Sequence, residues 1–461
     1  MLALSTWMAQ AVIVKGTVSD TTGKPVRNVV VTDGFLFTQT DNQGHYTLDT
    51  DTDKSRFVYI SVPSGYKIDH TGSIPDKFYQ EISNKEGDKK DFVLTPRKHI
   101  AKDFIYLAIS DPQPINEKQL ARYRNETVPD LRKTIEQTKG KEVYGVALGD
   151  ISWDRMDLFT PYKEAISELN IPMFSVIGNH DHDQRFPARS NPKRQGSDYA
   201  ERIFENQFGP YNYSVNIGDV HIITLKDIDY YGGKKYDERF GKEQLDWLKK
   251  DLSYVKPGSL VFINVHAPVF NTTDKGEGNA EDAEAFREIV SPYNVHIFAG
   301  HTHYFENNPV TPHLYEHNIG AACGAWWAGH VNRCGAPNGY LVVHVKGDKI
   351  SWRYKATGRD KDYQFRVYRP GEFKSETDYI IANVWDWDPA FKVEWSEDGV
   401  SKGNMERFSD EDQDYITMHG KPAGYHTLHL FRCRPAEGTK EVEIKVTNRF
   451  GETFTQKLTD L

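Results

Sequence analysis

The chain has 461 residues, 38% of them hydrophobic and 13% aromatic, which excludes disordered and collagen-like classes. That length is enough for about three domains with cores of their own. A formal net charge of -9 argues against nucleic acid as a partner, because a broad basic footprint is missing, and small anionic substrates then need a local source of positive charge.

Residues 1–11 read MLALSTWMAQA, a short apolar run closed by Ala9-Gln10-Ala11 that fits a signal-peptidase site, although no basic residue precedes it. The segment reads as a truncated signal peptide, which places the protein in the periplasm or outside the cell. The competing reading is a frayed terminus with chance alanines. No stretch reaches the roughly 20 apolar residues that span a bilayer, so no membrane span is expected.

From 12 to 97 short alternating runs are broken by turn residues at Thr22-Gly23-Lys24-Pro25, Asp33-Gly34 and Asn42-Gln43-Gly44, which predicts a small β-sandwich. The run Gly16-Thr17-Val18-Ser19-Asp20-Thr21-Thr22-Gly23-Lys24-Pro25-Val26 resembles the opening of carboxypeptidase-regulatory-like domains. Such domains serve as spacers or docking modules. From 98 to 357 the period changes. Apolar runs at 104–109, 143–148, 172–177, 220–225, 260–265 and 295–299 alternate with helix-like segments at 117–138, 158–169, 242–252 and 280–290. This predicts an α/β layered domain whose chemistry lies at the carboxyl ends of its strands. From 358 to 461 strand-like text returns, as in IIANVWDWD and TLHLFRC, and a second all-β domain is expected.

Each apolar run of the middle domain is followed by ligand-type side chains. Asp111 and Gln113 follow Ile109, Asp150 follows Leu148, Asn179, His180 and Asp181 follow Ile177, His266 follows Val265, and His301 and His303 follow Ala299. Five separated elements in this order, D-x-Q, GD, GNHD, H and GHTH, resemble the motif set of the calcineurin-like metallophosphoesterases, across the whole middle domain. The implied fold is a central β-sandwich flanked by helices, here between two β-domains as in a bacterial three-domain subgroup of that family.

The resemblance implies two divalent metal ions. Asp111, Gln113 and His303 match the ligands of one, Asn179, His266 and His301 those of the other, and Asp150 bridges both. Two dications facing two carboxylates leave the site net positive, which attracts a small phosphorylated substrate. The family's reaction is attack on phosphorus by a hydroxide bridging the metals, with His180 stabilising the transition state or protonating the leaving oxygen. Asp181 is expected to orient His180. Gln113 stands where many members carry histidine, and its harder carbonyl oxygen favours Mn²⁺ or Mg²⁺ over Zn²⁺ there; the two ions are Mn²⁺, Fe²⁺, Zn²⁺ or Mg²⁺, with Mn²⁺ favoured.

Between Gly320 and Tyr340, glycines surround Trp326, Trp327, His330 and Arg333. These four could wall a substrate pocket, or the tryptophans could pack against the C-terminal domain. Cys323 and Cys334 could bridge, or remain thiols with Cys433. His182 and Asp183 could support the ligands from behind or contact substrate, with surface loop the stronger reading, and His221, His296, His313, His317 and His344 read as structural. The alternatives to a small-molecule phosphoesterase are a phosphodiesterase or nuclease of the same fold, and an inactive scaffold whose flanking β-domains contact glycan or protein.

Overall fold

The computed structural model describes residues 11–83, 85, 87–185, 197–270, 279–459 and 461. The signal-like segment, except Ala11, lies outside the described residues.

The N-terminal unit is two small sheets face to face. Strand Ala11–Asp20 buries Val12, Val14 and Val18 on one face and pairs antiparallel with His45–Asp51 and parallel with Phe92–Leu94. A four-stranded sheet in the order Phe37–Gln39, Val30–Thr32, Phe57–Ile60, Tyr79–Glu81 covers it. This unit is not loosely tethered. The amide of Asn216 donates to Val62 O at 2.9 Å, and one apolar cluster runs from Val14 through Tyr106 to Trp385.

The middle domain is a sandwich of two mixed sheets. In the five-stranded sheet, Met173–Ser175, Glu142–Ala147 and Asp103–Ile109 run parallel, and Gly339–Lys346 and Lys349–Ala356 complete it antiparallel. In the six-stranded sheet, Val220–Thr224, Leu260–Asn264, Asn294–Ala299 and Leu314–Asn318 run parallel, with Tyr213–Ile217 and Glu306–Thr311 at the edges. The parallel strands are buried on both faces, which is why they read as unbroken apolar runs. Their carboxyl ends meet at one rim, where the ligand-type residues lie.

The expected helix at 117–138 is Glu117–Arg122, a π-helical turn Tyr123–Thr127, and Val128–Glu136. Pro129 has no amide hydrogen to donate back, so the hydrogen-bond ladder loosens just before it. Within Val128–Glu136, Asp130 accepts from Lys355 Nζ at 2.7 Å and from Tyr340 Oη at 2.8 Å. Both charged side chains are 7% exposed, so this pair fixes the helix to the sheet edge. Lys355→Met is expected to leave Asp130 buried without its cation and to lower unfolding free energy in urea by about 3–5 kcal/mol. A loss under about 1 kcal/mol would show that the pair is well solvated.

The C-terminal domain is a sandwich of two four-stranded sheets, centred on Ile380–Asn383 with Thr427–Cys433 and on Lys392–Glu397 with Glu441–Thr447. It also contains a helix, Gln413–His419, which the all-β expectation omitted. Its signals are ordinary ones: Asp412 accepts from the amides of Asp414 and Tyr415, and Gly420 ends it at φ 67°. Among the described residues no helix is long and apolar enough to cross a membrane.

Candidate metal centre

Three of the strands that end at the rim, Asp103–Ile109, Glu142–Ala147 and Asn294–Ala299, turn sharply there. Asp111, Gln113, Asp150, His301 and His303 have φ of 44°, 41°, 48°, 69° and 53°, the left-handed region that non-glycine residues avoid. Strain of about 1–3 kcal/mol per residue persists only where the surroundings enforce it, and such residues gather at functional sites. Glycines make the approach feasible. A Cβ on Gly178 would lie 2.3 Å from Asp150 Oδ1, and one on Gly300 would lie 2.0 Å from Ser110 Oγ.

The seven expected ligands converge in two groups. In one, His266 Nε2 lies 2.9 Å from Asn179 Oδ1, 3.1 Å from His301 Nδ1 and 3.4 Å from Asp150 Oδ1. Ligand atoms of Asp150, His266 and His301 all fall within 4.8 Å of one another, the spacing a shared cation requires. In the other, His303 Nε2 faces Asp111 Oδ1 at 3.8 Å, and Gln113 Nε2 donates to Asp150 Oδ2 at 2.8 Å. Asp150 thus offers one oxygen to each group.

The chemistry of these donors fits dications. Asp111 Oδ1 is fully buried with no hydrogen-bond partner, an arrangement that costs free energy unless a cation fills it. Burial and the facing Asp150 carboxylate push Asp111 up to about 7. Burial takes His266 down to about 4 and His303 down to about 3, so both imidazoles are neutral with a lone pair to give. The opposite nitrogens are fixed: His266 Nδ1 on Leu148 O at 2.8 Å, and His303 Nδ1 on Gly324 O at 2.6 Å. His301 Nε2 instead meets Glu238 Oε1 at 2.9 Å, and although burial opposes it, Glu238 with Asp150 raises His301 to about 9.

His180 sits beside this pair of groups. Its amide donates to Asp150 Oδ1 at 2.9 Å, and its ring stands 4.9 Å from that of Trp153. The orienting role expected of Asp181 is taken by another residue. Asp181 turns inward and accepts from the amides of Gly178, Ile151 and Ser152 at 3.0, 3.1 and 3.2 Å, so it shapes the turn. Asp154 Oδ1 meets His180 Nδ1 at 3.0 Å, while its other oxygen takes Lys234 Nζ at 2.8 Å. Asp154 lies four residues past Asp150 in the same loop, a spacing that could have flagged it. Glu238 reaches His301 from a hairpin, Ile228–Gly232 with Lys235–Glu238, and carries no local signal.

The Gly-rich loop divides. Trp326 stacks on His303 with ring centroids 4.9 Å apart, and Arg333 sits 6.0 Å from Trp326 and 3.5 Å from the Tyr425 ring. Trp327 does not face the site: it is 6% exposed, and its Nε1 donates to Pro112 O at 2.8 Å under the Arg122 guanidinium. His330 lines a separate cavity of about 150 Å³ with Glu126, Arg359 and Asp414, so it does not join the pocket wall. All three cysteines are free and buried, with Cys323 Sγ 3.6 Å from His303 Nδ1. His182 and Asp183 are not surface loop. His182 is 0% exposed, stacks on Tyr230 at 4.6 Å and holds Gly178 O at 2.9 Å, and Asp183 is 1% exposed.

Comparison with known proteins adds the family. A calcineurin-like phosphoesterase model matches residues 104–305, its N-terminal companion matches 12–97, and its C-terminal companion matches 316–454. The C-terminal match begins ahead of Gly339–Lys346 and Lys349–Ala356, so it includes the Trp326 loop and two strands of the catalytic sandwich. A dimetal phosphatase from Danio rerio is similar at 14% identity over 56% of this chain and 97% of that one, TM-score 0.38. A purple acid phosphatase from yellow lupin seeds is similar at 11% identity over 71% and 67%, TM-score 0.40. A 5'-nucleotidase from Candida albicans is similar at 11% identity over 56% and 52%, TM-score 0.34. Comparison with curated protein sequences returns no match. Calcineurin-like phosphoesterases bind a dinuclear divalent metal centre, and the chain belongs to this family, as a metal-dependent phosphoric ester hydrolase with an N-terminal and a C-terminal domain around the catalytic one.

Proposed function

We propose that the protein hydrolyses a small phosphate ester, with Asp111, Gln113, Asp150 and His303 holding one cation and Asp150, Asn179, His266 and His301 the other. When bound, the two cations supply positive charge for the phosphate oxygens and acidify water. The observation that carries the reading is Asp150, 1% exposed, whose two oxygens face the two ligand groups while the same carboxylate receives the His180 amide. Around it the chain's own residues position the reaction. Asp154 occupies Nδ1 of His180, which leaves Nε2 for the leaving oxygen or for the phosphorus oxygens, and Trp153 restricts the ring from the side.

Gln113 supports a harder first metal site, favouring Mn²⁺ or Mg²⁺. The thiol of Cys323 lies 3.9 Å from Gln113 Oε1, and burial and Asp111 push it well up. Action in the periplasm or outside the cell belongs to the same reading, on the signal-like segment alone.

The test is chelation followed by reloading with Mn²⁺, Mg²⁺, Fe²⁺ or Zn²⁺, assayed on phosphomonoesters, phosphodiesters and nucleoside diphosphates. Mn²⁺ is expected to restore turnover best. Restoration by Zn²⁺ and never by Mn²⁺ would overturn the metal assignment. No turnover of any substrate with two metal equivalents bound would instead favour a scaffold.

A further inference from the structure

The catalytic domain has five tryptophans, at 153, 247, 326, 327 and 352. Three are core residues: Trp247 is 3% exposed, Trp327 6% and Trp352 5%. Trp153 and Trp326 keep part of their surface open, and these are the two that touch the site. Their rings lie 6.2 Å apart at 53°, Trp153 against His180 and Trp326 against the metal ligand His303. A continuous aromatic wall therefore runs from His180 to the first metal group.

The backbone is strained to build it. Trp326 and Trp327 have φ of 55° and 59°, two consecutive bulky residues in the left-handed region, and such outliers persist where the fold enforces them. The enforcement is visible on both sides. Trp327 is pinned by Pro112 O and by Arg122, whose Nη1 also donates to Trp327 O at 2.8 Å. Behind Trp326, Ala325 and Val331 pack with Tyr415 and Met418 of the C-terminal helix. That helix closes on the glycines of the loop: a Cβ on Gly329 would meet Met418 Sδ at 1.5 Å, and one on Gly335 would meet Asp412 Cγ at 2.1 Å.

We infer that the substrate carries a planar ring next to the phosphate that is cleaved, a nucleobase or another aromatic group, which stacks on Trp153 and Trp326. Resting on the hydrolase reading above, this names the substrate class of the same site. Stacking suits a leaving group in this place because every planar ring has a π-face and no exact hydrogen-bond register is required. The C-terminal domain, by bracing the Trp326 turn, becomes part of the specificity machinery.

The test is competitive inhibition of p-nitrophenyl phosphate hydrolysis by the metal-loaded enzyme, using AMP, ribose 5-phosphate, phenyl phosphate, methyl phosphate and inorganic phosphate. AMP is expected to inhibit about tenfold more tightly than ribose 5-phosphate, and phenyl phosphate more tightly than methyl phosphate. Trp153→Ala and Trp326→Ala should each weaken AMP by several-fold while the inorganic phosphate constant moves less than about twofold. Trp153→Phe and Trp326→Phe, which keep a ring, should restore much of the AMP preference and guard against a variant that misfolds. Gains by AMP without gains by phenyl phosphate assign the ring as a nucleobase, and equal gains assign any aromatic group. Equal inhibition by AMP and ribose 5-phosphate in the parent enzyme, or equal weakening of AMP and phosphate in the variants, overturns the inference. Phosphate that fails to inhibit, with no ester turned over, tells against the hydrolase reading itself, and calorimetric titration of AMP against ribose 5-phosphate still reads the ring preference.

Discussion

Asp150→Asn is expected to lower turnover by at least about a thousandfold, because several kcal/mol of charge stabilisation disappear at about 1.4 kcal/mol per tenfold. The substitution keeps size and one acceptor oxygen, so the His180 amide at 2.9 Å retains a partner and the fold should survive. What it removes is the charge that both ligand groups share. Bound metal measured by emission spectroscopy should fall from two equivalents toward one or none. Two equivalents retained with full activity would sink the bridging role. The apo protein reads a different balance of charges. Burial and Asp150 push Asp111 from 3.8 up to about 7, so its contribution to apo stability is present below pH 3.8 and lost as pH rises through about 7. Asp150→Asn relieves that repulsion. It also removes the charge that holds the His180 and His301 imidazoliums, so the metal-free variant gains against Asp111 and loses against the two histidines. A clear drop in apo melting temperature would mean that Asp150 also supports the fold.

The convergence of the candidate ligands at one rim was legible because each ends an apolar run, and a parallel strand buried on both faces announces its own carboxyl end. Contacts made across the fold were not. Glu238 lies 63 residues from His301 in sequence, and Arg122 is 205 residues from the Trp327 carbonyl it holds. Asp181 shows a different limit. Its place in the motif is correct, but the short turn Asn179–Asp181 directs its carboxylate back to the Gly178 amide, and periodicity does not foresee side-chain direction within a single turn. His182 and Asp183 looked like loop because polar residues usually are. Here His182 fills a buried slot between Tyr230 and Gly178 O, with its Nε2 3.6 Å from Glu201 Oε1. The Trp326-Trp327 pair left two readings open in sequence, pocket wall or packing against the C-terminal domain; Trp326 stacks on His303 and also packs on the cluster of Tyr415 and Met418, while Trp327 packs within the catalytic domain against Pro112 and Arg122.

His180→Ala should lower kcat by about 10²- to 10⁴-fold while both metal equivalents stay bound, since His180 touches Asp150 only through its amide. Asp154→Asn should act through His180 and cost less. Burial lowers the His180 pKa, but Asp150 and the bonded Asp154 raise it further, so the net direction is upward and the imidazolium persists to higher pH. Losing the Asp154 charge lowers it again. If His180 gives its proton to the leaving oxygen, activity falls as that proton is lost, and the alkaline limb of the kcat profile should move to lower pH in Asp154→Asn. An unmoved limb would place the titrating group elsewhere. The leaving group then separates the two roles open to His180. A proton donor matters little when p-nitrophenolate departs and much when an alkoxide does, so the His180→Ala loss should be small for p-nitrophenyl phosphate and large for methyl phosphate. A fixed cation that stabilises charge on phosphorus oxygens serves both esters alike, and equal losses would assign His180 to that role.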